Sequence, residues 1–135
     1  MPTLTLKVSP PQPADRHHAL AAALTRITAE TLGKRAEVTA VIIDDVAPQR
    51  WRIGGHVLSK PSAWLAIDIT AGTNSAEQKA EFIAAAHEEL RRQLAANTTL
   101  EPASYVIVHE LPAGDWGYSG VTQRERALAR AAAAA

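Results

Sequence analysis

Pro2-Thr3-Leu4-Thr5-Leu6-Lys7-Val8 and Trp64-Leu65-Ala66-Ile67-Asp68-Ile69 are the two stretches whose reading decides the fold. In each, aliphatic side chains alternate with polar, small or aromatic ones. Successive side chains of a strand point to opposite faces, so both read as half-buried β-strands. The same signals follow each of them. After the first, Pro10, Pro11 and Pro13 break the strand, and a helix is predicted from Ala14. Leu20, Leu24, Ile27 and Thr31 fall on one face of it, and Gly33 is its stop. Val38 to Val46 then reads as a second strand. Its apolar run Val41-Ile42-Ile43 suits a buried position in a sheet. In the second half Gly72 closes the strand, and Ser75-Ala76-Glu77-Gln78 has the form of a capping box. Phe82, Ile83, Ala86, Leu90 and Leu94 mark the buried face of a second helix, with Glu88-Glu89 and Arg91-Arg92 on its polar face. Tyr105 to Leu111, with Val106-Ile107-Val108, is the fourth strand.

The halves can be laid on each other. Leu4, Leu6 and Val8 fall on Leu65, Ile67 and Ile69; Val41-Ile42-Ile43 falls on Val106-Ile107-Val108; Trp51 falls on Trp116 and Gly55 on Gly120. The second half carries a short insertion, placed in the loop Ala95 to Pro102. The predicted class is therefore α/β (α+β): two tandem β-α-β units, about 2–60 and 61–122, forming a four-stranded mixed sheet with two helices on one face. A helical crossover joins the strands of each unit, so those strands run parallel. The other face of such a sheet is bare, and apolar residues on it call for an oligomer. Residues 123–135 are rich in alanine and arginine. They have helix propensity but little to bury, and read as a frayed helix or disorder outside the domain.

Composition narrows the function. A chain of 135 residues is one domain by length. Lysine plus arginine equal aspartate plus glutamate at 14 each, which argues against a nucleic-acid partner held by a broad basic face. The absence of cysteine excludes disulfides, a thiolate nucleophile and a thiolate zinc site. No run approaches the roughly 18 apolar residues of a membrane span. The N-terminus lacks the basic start and apolar core of a signal peptide, so cytoplasmic residence is expected. His17 and His18 are adjacent and point apart, while His56, His87 and His109 are far apart in sequence. That spacing forms no metal set, and neither a metal nor another cofactor is predicted.

Pro2 is the residue with chemistry to offer. Removal of Met1, which a small second residue permits, leaves a proline with a free secondary amine at the head of a strand. Burial or a neighbouring cation lowers the pKa of such an amine toward neutrality and makes it a usable base. Ala63 stands where Pro2 would fall in the second half. One competent site per chain is therefore expected.

Three features together resemble the tautomerase superfamily, whose best-known branch is 4-oxalocrotonate tautomerase. They are Pro2 ahead of a short alternating strand, the segment Thr31-Leu32-Gly33-Lys34-Arg35 through Val41-Ile42-Ile43-Asp44-Asp45-Val46, and Trp51-Arg52-Ile53-Gly54-Gly55, matched by Trp116-Gly117-Tyr118-Ser119-Gly120. Each half looks like one short family subunit, similar to the fused, double-length members. These include the cis-3-chloroacrylic acid dehalogenases and malonate semialdehyde decarboxylase. The resemblance implies a homotrimer and a cofactor-independent tautomerase acting on a small 2-keto or enol acid, with Pro2 as general base. It implies an aromatic pocket wall at Trp51, with Trp116 as its counterpart; the Tyr118 hydroxyl and Arg50 and Arg52, which flank Trp51, are the candidate donors to a substrate oxygen. Hydratase, dehalogenase or decarboxylase chemistry, or a ligand-binding role without catalysis, are the alternatives within the same superfamily.

The match lacks the arginines that family members place after the first and third strands and early in the second. This chain has Ser9 to Pro13, Thr70 to Asn74 and Ala40 there. A carboxylate clamp would have to be rebuilt from Arg16, Lys34, Arg35, Arg50, Arg52 or Lys60. On the sequence alone, substrate carboxylates are expected to be held loosely.

Overall fold

The computed structural model describes all 135 residues. The first unit comprises β1 (Thr3–Ser9), α1 (Ala14–Leu32), β2 (Ala40–Asp45) and a small hairpin, β3 (Arg52–Ile53) with β4 (His56–Val57). The second repeats it with β5 (Ser62–Thr70), α2 (Ala76–Leu94), β6 (Tyr105–Leu111) and the hairpin β7 (Gly117–Tyr118) with β8 (Val121–Thr122). A last helix, α3 (Gln123–Ala134), ends the chain.

The sheet order is β2-β1-β5-β6. β1 pairs parallel with β2, β5 parallel with β6, and β1 antiparallel with β5, giving one mixed four-stranded sheet in an α+β fold. The registers repeat between halves. Leu4 faces Val41 in the first pair, and Leu65 faces Val106 in the second. Across the central pair Leu4 faces Ile67 and Leu6 faces Leu65, so a pseudo-twofold axis runs between β1 and β5. Both helices pack on one face. Leu4, Leu6, Val8, Leu65, Ile67 and Ile69 share a single core with Leu20, Leu24 and Ile27 of α1 and Phe82, Ala86 and Leu90 of α2. α1 stops where Gly33 takes a φ of +67°, a left-handed conformation that suits glycine. α2 starts at a complete capping box: Ser75 Oγ accepts from Gln78 N at 3.1 Å, and Gln78 Oε1 accepts from Ser75 N at 2.9 Å.

Four expectations need correction. The apolar runs of the second and fourth strands do not take a buried position in the sheet. β2 and β6 are the two edges of the sheet. Val41, Ile43, Val106 and Val108 pack toward the helices, while Ile42 on the other face is 54 % exposed. β2 is also shorter than predicted, because Ala36–Val38 turns as a 3₁₀ helix ahead of it. On α2, Ile83 is 39 % exposed, whereas Glu89 and Gln93 are buried between the helices. Glu89 is tolerated there because Arg92 grips both its oxygens at 2.6 and 2.7 Å, and Gln93 because its amide donates to Ala19 O at 3.3 Å. Finally, residues 123–134 form a docked helix. Thr122 caps it by accepting from Glu125 N at 3.0 Å, and Gln123 and Arg124 donate backbone N–H groups to Trp116 O and Ala113 O at 3.0 and 2.9 Å. Polar anchoring replaces the apolar burial that the sequence lacks. No helix is long and apolar enough to cross a membrane.

Candidate active site

A cavity of about 260 Å³ opens at the N-terminal end of β1. Pro2, Lys34, Arg35, Thr73, Trp116, Tyr118 and Arg130 are among the residues lining it. Each is placed by a local device. Pro2 is buried, and its carbonyl accepts from Ala40 N at 3.1 Å, which ties the chain end to β2. Lys34 and Arg35 follow directly on the glycine stop of α1. Lys34 Nζ donates to Thr73 Oγ1 at 2.9 Å, and Thr73 Oγ1 donates to Thr70 O at 2.7 Å. The indole Nε1 of Trp116 donates to Thr70 Oγ1 at 3.2 Å, which orients the ring as a wall.

Tyr118 sits on a two-residue hairpin. Ser119 and Gly120 take φ of 53° and 76°, the two positive values that a type I′ turn requires. Gly54 and Gly55 do the same in the first hairpin, with φ of 60° and 82°. Gly117 closes the second hairpin so tightly that a Cβ there would lie 2.2 Å from Val121 O. On α3, Arg126 lays its guanidinium 3.6 Å from the Tyr118 ring centroid and donates to Tyr118 O at 2.9 Å. The phenol is thus held between its own turn and the C-terminal helix.

Electrostatics follow from the lining. No aspartate or glutamate lines the cavity. Burial pulls the chain's terminal amine below its ordinary range, and Lys34, Arg130, Arg35 and Arg126 push it further the same way. Burial also lowers the Lys34 ammonium. Met1 itself lines the cavity, and with it attached the Pro2 nitrogen is an amide. Removing Met1 would vacate that space and leave the amine on Pro2, inside the same ring of cations.

The structure brings Pro2, Trp116 and Tyr118 together. It does not bring Arg50, Trp51 and Arg52 to them within one chain. Those three line a separate cavity of about 440 Å³ with Lys7, Val46 and Trp64. Lys7 lies five residues along β1 from Pro2, roughly 16 Å at strand spacing. The pseudo-twofold axis accounts for the separation, because this second cavity is the counterpart of the first at the start of β5. Ala63 and Trp64 stand there in place of Pro2 and Thr3. Of the cations weighed for a clamp, Lys34 and Arg35 reach the Pro2 cavity, and Arg16 lies against Gln93 instead. Arg35 is partly engaged by Glu37 at 2.9 Å. His17 and His109 pair with Asp45 and Asp68 at 2.9 and 3.1 Å, away from the cavity lining.

Arg130 was not among the expected residues, nor was Arg126. The signal that finds them is Thr122-Gln123-Arg124-Glu125, a capping-box pattern that turns the tail into a helix. On that helix Arg126 and Arg130 are one turn apart and share a face.

Comparison with known proteins fits this geometry. The family model described as tautomerase enzyme matches residues 2–60 and again 64–126. The chain belongs to the tautomerase family. The second match runs into the first turn of α3. Among solved structures, a native fused 4-OT is 26 % identical, with 95 % of this chain and 99 % of that one covered and a TM-score of 0.75. A second fused 4-OT, R7, a wild-type asymmetric trimer, is 25 % identical over 95 % and 99 %, with a TM-score of 0.79. N1, a member of the cis-3-chloroacrylic acid dehalogenase family, shares the fold at a TM-score of 0.76, 20 % identity and coverage of 94 % and 90 %. No curated protein sequence matches the chain.

Proposed function

We propose that this tautomerase-family chain is a cofactor-independent keto–enol isomerase in which Pro2, freed by removal of Met1, is the general base. The observation that carries this reading is the burial of Pro2 in a cavity ringed by cations and free of carboxylates. Such surroundings keep an amine neutral near physiological pH. The Pro2 nitrogen takes a proton from the enol hydroxyl of a small 2-hydroxy unsaturated acid. A proton is then returned to carbon, and the substrate leaves as its 2-keto isomer with unchanged composition. Trp116 provides the apolar wall. The Tyr118 hydroxyl or the Lys34 ammonium donates to the oxygen on which charge develops. Hydration of a haloacrylate needs a carboxylate to activate water, and the cavity lining supplies none.

The decisive assay offers 2-hydroxymuconate, phenylenolpyruvate and both 3-chloroacrylate isomers side by side. Ketonisation of the enols without chloride release is expected. Efficient chloride release with negligible ketonisation overturns the assignment.

We also infer a homotrimer in the cytoplasm. Two fused 4-OT structures similar in fold, R7 and Q0, are trimers, asymmetric and symmetric respectively. The sheet face away from the helices leaves Ile42 54 % and Tyr105 63 % exposed, which is apolar surface that copies of the chain would cover. Light scattering at micromolar concentration should give three times the mass of one chain. A monomer there would refute the trimer.

A further inference from the structure

We propose that Arg130, on the C-terminal helix, binds the carboxylate of the substrate in the Pro2 cavity, so that α3 is a working wall of the site. This rests on the assignment of that cavity as the reaction site.

Two observations support it. First, Arg130 lines the cavity and makes no hydrogen bond or ion pair to a carboxylate anywhere in the chain. Lys34 and Arg126 likewise have no carboxylate partner; Lys34 is bonded to a threonine and Arg126 to a carbonyl. Lys34 and Arg130 on one small, carboxylate-free cavity are uncompensated charge, and an anion compensates it. Second, the helix is docked through the face that looks at the cavity. Gln123, Arg126 and Arg130 recur at helical spacing on that face; Gln123 is 8 % exposed, and Arg126 stacks on Tyr118. Leu128, the one large apolar residue of the helix, is 60 % exposed on another face. A helix docked for its own stability would bury its leucine. This one leaves its leucine out, buries Gln123 and sets Arg130 on the cavity lining.

The groups facing the terminal amine are Lys34 and Arg35 beyond α1, Tyr118 on β7, and Arg126 and Arg130 on α3. Glu37, from the 3₁₀ turn, is engaged with Arg35. Arg130 therefore has a second effect. Its charge disfavours protonation of the amine, so losing it raises the amine's pKa and moves the acid limb of the rate profile to higher pH.

The test uses cis,cis-muconate, a dicarboxylate with no enol to convert, and its dimethyl ester as the neutral control. Binding is measured by titration calorimetry on the full processed protein. Losing one charge-assisted hydrogen bond weakens binding about ten- to hundredfold. Arg130→Met is expected to show that loss for muconate and no change for the ester, while Arg130→Lys keeps most of the affinity. Deleting residues 130–135 removes only about the last turn and a half of α3 and should reproduce the methionine variant. The loss should appear equally in a Pro2→Ala background, where no catalysis is needed. That background separates failure of this proposal from failure of the proline mechanism. Muconate binding unchanged in Arg130→Met overturns the proposal, and so does an equal loss for the ester. In the active protein, Arg130→Met should raise KM more than it lowers kcat and shift the acid limb upward. An unshifted limb would count against the placement of Arg130 beside the amine.

Discussion

Replacing Pro2 by alanine is expected to slow enol ketonisation about 100- to 10,000-fold while the fold stays intact, the span by which a positioned acid–base group accelerates proton transfer. The expectation comes from position. The pyrrolidine ring fixes the N–Cα torsion, so the nitrogen of a terminal proline points one way into the cavity. An alanine amine at the same place rotates freely and presents its lone pair only part of the time. An uncleaved N-terminal extension should be equally damaging by another route, because it makes the Pro2 nitrogen an amide with no basicity at all. The pH dependence has a definite sign. The base works when unprotonated, so the rate climbs as pH rises through the amine's pKa and then levels off. Burial and the cations Lys34, Arg130, Arg35 and Arg126 lower the pKa of the amine that Met1 carries at this cavity, and a Pro2 amine beside the same cations is expected to shift the same way, so the limb is expected below the ordinary terminal-amine range of about 7.7–8.0. Rates of Pro2→Ala and the parent, measured with circular dichroism on the same samples, decide the matter. A folded variant with unchanged rate means that another group is the base. Intact mass completes the test: full activity from a chain that retains Met1 would remove the amine from the mechanism.

The parts of this fold that were legible in the sequence are those whose cause is local. Alternation in Thr3–Val8 and Trp64–Ile69 gave both central strands, and the internal match of Leu4 to Leu65 and Val41 to Val106 anticipated the observed strand registers. Ser75 and Gln78 announced a cap that forms in full. What escaped was whatever depends on a partner elsewhere in the chain. Val41-Ile42-Ile43 is apolar on both faces, and from sequence this is indistinguishable from a central strand. It is an edge strand whose outer side chain Ile42 is left for another surface. Glu89 reads as helix surface until Arg92 is seen closing over it. The tail offers little to a hydrophobic-pattern reading because it docks through Gln123, Arg126 and two backbone bonds.

The candidate site divides in the same way. Pro2, Trp116 and Tyr118 were visible because one repeat unit's strand start and the other's hairpin are both motif-like. That they meet, while Pro2 and Trp51 do not, follows from the antiparallel pairing of β1 with β5. This pairing puts the start of β1 beside the end of β5 and hence beside the hairpin after β6. The missing family arginines suggested a loose grip on carboxylates. Lys34, Arg35 and Arg130 around the cavity supply the charge from other positions in the chain.

Phe82→Ala is expected to cost about 3–5 kcal/mol, the usual range for deleting a phenyl ring from a closed core. Phe82 is the only phenylalanine and heads the largest fully buried side chains, at 0 % exposure. It lies on α2 in the core cluster shared with the central strands β1 and β5 and with α1. The surroundings cannot collapse into the vacated space, because sheet and helices fix its walls from both sides and interiors are close-packed. Domains are typically stable by only about 5–15 kcal/mol, so this single change removes roughly a fifth or more of the total. The expected lowering of Tm is on the order of 10–20 °C, from about 4 °C per kcal/mol at this chain length. Melts must be run at equal protein concentration, since an oligomer's Tm depends on it. The change should leave the site chemistry alone, because Phe82 does not line the Pro2 cavity. At temperatures where Phe82→Ala is still folded, its acid limb should coincide with that of the parent. A loss of less than about 1 kcal/mol would show that the core relaxes around the gap, whereas a shifted limb with normal folding would show that packing under α2 reaches the amine.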